Sequence, residues 1–129
     1  MKWQTKQRRK EKSPLETLEL ARTLVTSLED KKAENILLLD LRGHSVFTDY
    51  FVICTGTSDR QLDALVEAVS QAAKKKHRLK PPKIEGHAAS GWVLVDFGSV
   101  IVHAFSPDRR KHYRLEELWH EGKVVLRMQ

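Results

Sequence analysis

Six histidines, one cysteine and one small-residue turn are the places in this 129-residue chain where chemistry could be sought. His44, His77, His87, His103, His112 and His120 contain no pair at i, i+2 or i, i+4, the spacings that put two imidazoles on one strand face or one helix face, so no metal site is expected. Cys54 is the only cysteine and can form no intramolecular disulfide. It lies within an apolar run, which predicts an inert core thiol rather than a nucleophile served by His103 and Asp96. Thr55-Gly56-Thr57-Ser58 is the kind of turn that holds phosphates on backbone amides at a helix start. It lacks the Gly-x-x-x-x-Gly-Lys spacing of a P-loop. A nucleotidyltransferase built on such a turn also needs paired carboxylates on an adjacent strand, where 92–97 offers only Asp96. Ser58 followed by Gln61 reads instead as a capping box. Binding is therefore expected rather than catalysis, with no cofactor. The alternative is a nucleotide-binding or transferase-like enzyme using the Thr55–Ser58 turn.

Hydrophobic residues make up 40% and charged residues 31%, values of an ordinary soluble domain, and no apolar stretch nears the ~18 residues of a membrane span. The first 30 residues hold no apolar signal-peptide core, so a cytoplasmic protein without a membrane partner is expected. The net charge of +6 is uneven: residues 1–12 carry six of the 23 Lys and Arg and one of the 17 acids, giving +5 there and +1 over the rest. Residues 1–12 thus read as a disordered basic tail, with Trp3 among the cations, suited to contact with nucleic-acid phosphates and bases. Residues 13–129 fit one domain.

The elements that must position these residues follow from period and punctuation. Ser13-Pro14-Leu15-Glu16 predicts a helix start with a capping box and Pro at the first helical position. Leu18, Ala21, Val25 and Leu28, widened by Leu20 and Leu24, carry that helix to about Asp30. Ile36-Leu37-Leu38-Leu39 and Leu41 predict a strand buried on both faces, ended by a turn at Arg42-Gly43. Tyr50 to Thr55 is the strongest strand signal. Ser58 then opens a long helix with Leu62, Leu65, Val66, Val69, Ala72 and Ala73 on one face, ending in Lys74 to Lys76, where cations complement the helix dipole. Residues 107–119 predict a helix or two short turns with Leu115, Leu118 and Trp119 on the apolar side, before the run Val124-Val125-Leu126. The order predicts an α/β or α+β domain with a small mixed sheet of four to five strands and helices mainly on one face.

Trp92 to Phe97 and Val100 to Phe105 form a hairpin about Gly98-Ser99. Pairing Phe97 with Val100 sends Val93, Val95, Phe97, Val100, Val102 and Ala104 to one face, the core side. The other face carries Trp92, Leu94, Asp96, Ile101, His103 and Phe105. Left uncovered, that face is an apolar interaction patch with Asp96 and His103 as polar handles.

Asp49-Tyr50-Phe51-Val52-Ile53-Cys54-Thr55-Gly56-Thr57-Ser58-Asp59-Arg60-Gln61 resembles the D-x-F-V-I-x-T-G-x-S-x-R-Q core of the ribosomal silencing factor family, RsfS or Iojap. Glu85-Gly86, the segment 92–98 with Val102 to Phe105, and Arg110 to Trp119 agree in the same order, so the resemblance covers about residues 15–126. Cys54 and Phe97 depart from the residues more usual in the family, and the basic extension lies outside the shared core. The resemblance implies a non-enzymatic protein shaped like a nucleotidyltransferase without its catalytic acids. It implies binding to the large ribosomal subunit through its universal protein fourteen, which blocks subunit joining and represses translation, by a monomer when bound and a homodimer when free. The residues expected to serve that contact are Trp92, Leu94, Asp96, Ile101, His103 and Phe105, with Arg109 and Tyr113 from the following segment.

Overall fold

The computed structural model describes residues 13–43, 45–114 and 123–128; the tail, His44 and the Leu115–Trp119 apolar positions lie outside that set. Helix α1 (Pro14–Asp30) begins as its sequence demands: Ser13 Oγ accepts from the Glu16 amide at 3.1 Å, and Glu16 Oε1 accepts from the Ser13 amide at 2.9 Å. Strands β1 (Glu34–Asp40) and β2 (Tyr50–Thr55) follow, then α2 (Asp59–His77), β3 (Lys83–His87), a short 3₁₀ turn (Ala88–Ser90), β4 (Trp92–Asp96), β5 (Val100–Phe105), α3 (Pro107–Tyr113) and β6 (Lys123–Met128). No described helix is long and apolar enough to cross a membrane.

The six strands form one sheet in the order β3-β4-β5-β2-β1-β6, with β2 and β5 parallel and every other neighbouring pair antiparallel. The expected mixed α+β class holds, but the strand count is six rather than four or five. The additional strand is β3, whose five residues are all exposed and include Gly86, so nothing in its own pattern marks it. It is a strand because the β4 backbone offers it a ladder from Lys83↔Asp96 to His87↔Trp92.

Both long helices pack on one face of the sheet. Leu20, Leu24 and Leu28 of α1 and Leu62, Leu65 and Val69 of α2 share a core with Tyr50, Val52, Cys54, Val93, Val95, Val102 and Ala104. Gln61 joins the two helices: its Nε2 donates to the carbonyls of Lys31 and Lys32 at the end of α1, at 3.1 and 3.0 Å. The opposite face carries a second, smaller cluster of Leu37, Leu39, Leu41, Phe51, Ile53 and Phe105.

One glycine is fixed by close approach. Gly86 has φ +82°, and a Cβ there would lie 2.3 Å from the carbonyl oxygen of Trp92, a backbone atom of β4 that cannot yield without breaking the ladder. Gly86→Ala should therefore cost about 1–3 kcal/mol. Hydrogen exchange should show amide protection lost along β3 and β4 and kept in β2, and an unchanged melting temperature would contradict the close approach.

Candidate functional site

The hairpin register is the one its alternation predicts. Trp92 pairs with Phe105, Leu94 with His103 and Asp96 with Ile101, and Phe97 N donates to Val100 O at 2.9 Å. Val93 and Val95 go to the helix-covered core, while Trp92, Leu94 and Asp96 stand half-buried on the other face beside half-buried Ile101. The β3 side chains on this face are Lys83, Glu85 and His87, opposite Asp96, Leu94 and Trp92 respectively.

Trp92 is the centre of an aromatic group. Its indole stacks on Phe105 with centroids 4.9 Å apart and lies 4.5 Å from the Tyr113 ring of α3. Its Nε1 donates to His103 Nδ1 at 3.2 Å. An indole N–H can only donate, so His103 Nδ1 is the acceptor and the imidazole proton sits on Nε2. His103 is 4% exposed, with Phe51 edge-on at 4.5 Å, and its Nε2 has no hydrogen-bond partner among the described residues. Burial pushes the imidazole pKa down from 6.5 to about 4, so the ring is neutral at physiological pH.

These positions correct the expectation of one uniformly exposed patch. Phe105 is fully buried and His103 nearly so; neither presents surface to a partner. The cause is lateral: Trp92 covers Phe105 from across the strand pair, and Phe51 and Ile53 of β2 flank β5 on the other side. The same face is thus a second core layer toward β1 and β2 and a half-open surface toward β3 and β4. Trp92→Ala would consequently uncover Phe105 and orphan His103 Nδ1, costing stability as well as any contact it makes. Tyr113 is 39% exposed above Trp92, and Arg109 is exposed on α3. Gly91, at φ +82°, lets these pieces meet: a Cβ there would lie 2.6 Å from Arg109 Cγ and 2.8 Å from Ser106 Oγ, at the cap of α3. Asp96 is held to the hairpin turn, its Oδ1 accepting from the Gly98 amide at 2.7 Å.

The remaining sites singled out for chemistry are structurally occupied. Cys54 is fully buried and desolvation pushes its thiol up to about 12, which makes it a core residue. Ser58 Oγ accepts from the Gln61 amide at 3.0 Å. Gln61 Oε1, however, accepts from the Thr57 amide at 2.7 Å rather than from that of Ser58, a departure from the predicted box that takes up a further amide of the turn. Among the described residues no group of three or more His, Cys, Asp or Glu could hold a metal ion.

One feature escaped sequence reasoning. Arg110 of α3 donates to the carbonyl of Asn35, which sits at φ +49° in a β1 bulge, and to Thr55 Oγ1 at 3.0 Å. It clips α3 across the ends of β1 and β2 beside an open cleft of about 580 Å³ that Lys111 and Arg127 also line. A contact between residues 75 apart leaves no local pattern to read.

The His103 geometry predicts a pH response. Below pH 6.5 the unfolded chain takes up a proton that the native imidazole excludes, so stability present above 6.5 is lost progressively as pH falls toward 4. The displacement from 6.5 to about 4 corresponds to roughly 3 kcal/mol. Denaturant titrations at pH 7.5 and 4.5 should show this loss in the parent chain and a flatter profile in His103→Leu; parallel profiles would show that His103 carries none of it.

Comparison with known proteins agrees over nearly the whole described chain. The family described as ribosomal silencing factor during starvation matches residues 14–129. The ribosomal silencing factor RsfS of Bacillus subtilis is 42% identical over 97 residues, covering 75% of this chain and 81% of that protein. That of Halalkalibacterium halodurans is 36% identical over 107 residues, covering 83% and 91%. A crystal structure of a Chromobacterium violaceum protein, 34% identical, superposes with a TM-score of 0.77 over 81% of this chain and 87% of its own. With the family match, the identities to its members and the superposition in agreement, the chain belongs to the ribosomal silencing factor (RsfS/Iojap) family.

Proposed function

We propose that this protein is a ribosome-associated silencing factor that docks on the large ribosomal subunit, through the universal protein fourteen, and sterically prevents the small subunit from joining. The observation that carries the proposal is the half-open sheet face where Trp92, Leu94 and Ile101 stand half-buried with no long described helix over them. A steric blocker requires no transition state. It requires a preorganised patch with apolar anchors and a polar rim, which is how protein interfaces are built. Here the anchors are strand residues whose backbone is fixed by ladders on both sides. The rim is mixed in charge, with Glu85 and Asp96 suited to the cationic side chains of a ribosomal protein and Lys83 and His87 beside them. Tyr113 and Arg109 extend the surface onto α3. Residues 1–12 add a salt-sensitive rRNA contact, and the site of action is the cytoplasm.

The test is sedimentation of the full chain with isolated large subunits, before and after addition of small subunits. Co-migration with large subunits and fewer joined ribosomes are expected; unimpaired joining at saturating protein overturns the reading. Leu94→Lys, which replaces an apolar anchor with a charge like that of the partner, should weaken binding by ~2 kcal/mol or more while the domain stays folded. Asp96→Asn keeps the acceptor for Gly98 and removes only the charge, so a loss of binding there would be electrostatic. Deleting residues 1–12 should give a modest loss that disappears at high salt.

A further inference from the structure

We infer that His103 is a positioning residue for partner docking: as a neutral imidazole it holds the Trp92 indole by its one polar atom, so that Trp92 meets the partner as a purely apolar surface. The inference rests on the docking role of the β3–β4–β5 face proposed above. Three observations carry it. Trp92 Nε1 donates to His103 Nδ1 at 3.2 Å, which uses the only hydrogen-bonding group of the indole and ties it to a side chain that is itself 4% exposed. His103 is itself packed among rings, with Phe51 edge-on at 4.5 Å and the Phe105 ring nearly parallel to it at 6.2 Å. Its other nitrogen, Nε2, is buried without a partner among the described residues, a cost that an apolar residue of similar size would avoid. The acceptor at Nδ1 is what the imidazole supplies in return. An imidazolium has no acceptor, so the arrangement needs the neutral ring, and burial keeps it neutral.

The rotation of a half-buried indole about its side-chain bonds is thus fixed before the partner arrives, which lowers the ordering cost of binding. No hydrogen bond from Trp92 to the partner is then available, and recognition at this point is by shape and apolar contact alone.

The full 129-residue chain tests this by NMR and by titration against isolated large subunits. In the parent protein the Trp92 indole N–H, assigned with Trp92→Phe, should exchange slowly with solvent, and His103 should show the Nε2-protonated tautomer. A rapidly exchanging indole or the Nδ1-protonated tautomer overturns the inference whether or not any variant folds. His103→Leu removes the acceptor and should weaken subunit binding about fivefold to tenfold per folded molecule. His103→Asn, which can return an oxygen to the place of Nδ1, should restore most of it. If His103→Leu binds like the parent while Leu94→Lys binds weakly, the docking face stands and the positioning role falls. If Leu94→Lys also binds like the parent, the docking reading itself fails and this inference with it.

Discussion

Every residue of β2, from Tyr50 to Thr55, is buried. A strand without a solvent face needs a core on each side, and this requirement organises the rest of the molecule. Tyr50, Val52 and Cys54 point to the helices, whose leucines close the larger core. Phe51 and Ile53 point the other way and gather Leu37, Leu39, Leu41 and Phe105 into the smaller one. Parallel pairing of β2 with β5 requires a long crossover, and α2, β3 and β4 fill it, which sets the β3–β4 pair at one edge of the sheet.

The two-sided core also explains why the candidate surface is where it is. Burial on the second face is deepest around β2 and fades toward β3, a five-residue edge strand that presents only exposed side chains. Between these limits lies β4, whose outward residues are half-buried in each case. Trp92 stands at the transition, stacked inward on Phe105 and covered on one side by Tyr113. Its polar atom faces the interior, toward His103. A residue in that position contributes both to folding and to any contact made outside, so the two roles cannot be separated by truncating it.

The turn between β2 and α2 shows how a phosphate-binding shape can be closed by its own side chains. Gln61 accepts from the Thr57 amide and, through its own backbone N–H, donates to Ser58 Oγ, while its side-chain nitrogen reaches the Lys31 and Lys32 carbonyls just past α1. Two amides that could face an anion, those of Thr57 and Gln61, are thus taken up within the turn, and the same Gln61 side chain ties the turn to the end of α1. The relatives that the chain resembles are named as ribosomal silencing factors.

Local signals were sufficient for much of this. The capping residues Ser13 and Glu16, the period of α1 and α2, and the alternation along 92–105 are encoded by neighbours within four residues or by direct strand opposition, and the structure places them as read. The motif from Asp49 to Gln61 likewise carries the family resemblance in its own residues. Alternation assigns a face but says nothing of depth, because depth depends on what arrives from distant parts of the chain. Phe105 and Leu94 share a face, yet Phe105 lies beneath Trp92 and beside Tyr113 while Leu94 has buried His103 on one side and only exposed Glu85 of β3 on the other. The strand state of Lys83–His87 came from the ladder that β4 offers, and the clip from Arg110 to Asn35 and Thr55 joins residues 75 and 55 positions apart. The sequence by itself determined the two long helices, the strands β1, β2, β4 and β5, the hairpin register and the family; only the tertiary structure decided that β3 is a strand and which of the outward residues are surface, since burial is a property of the assembled neighbourhood and not of the residue.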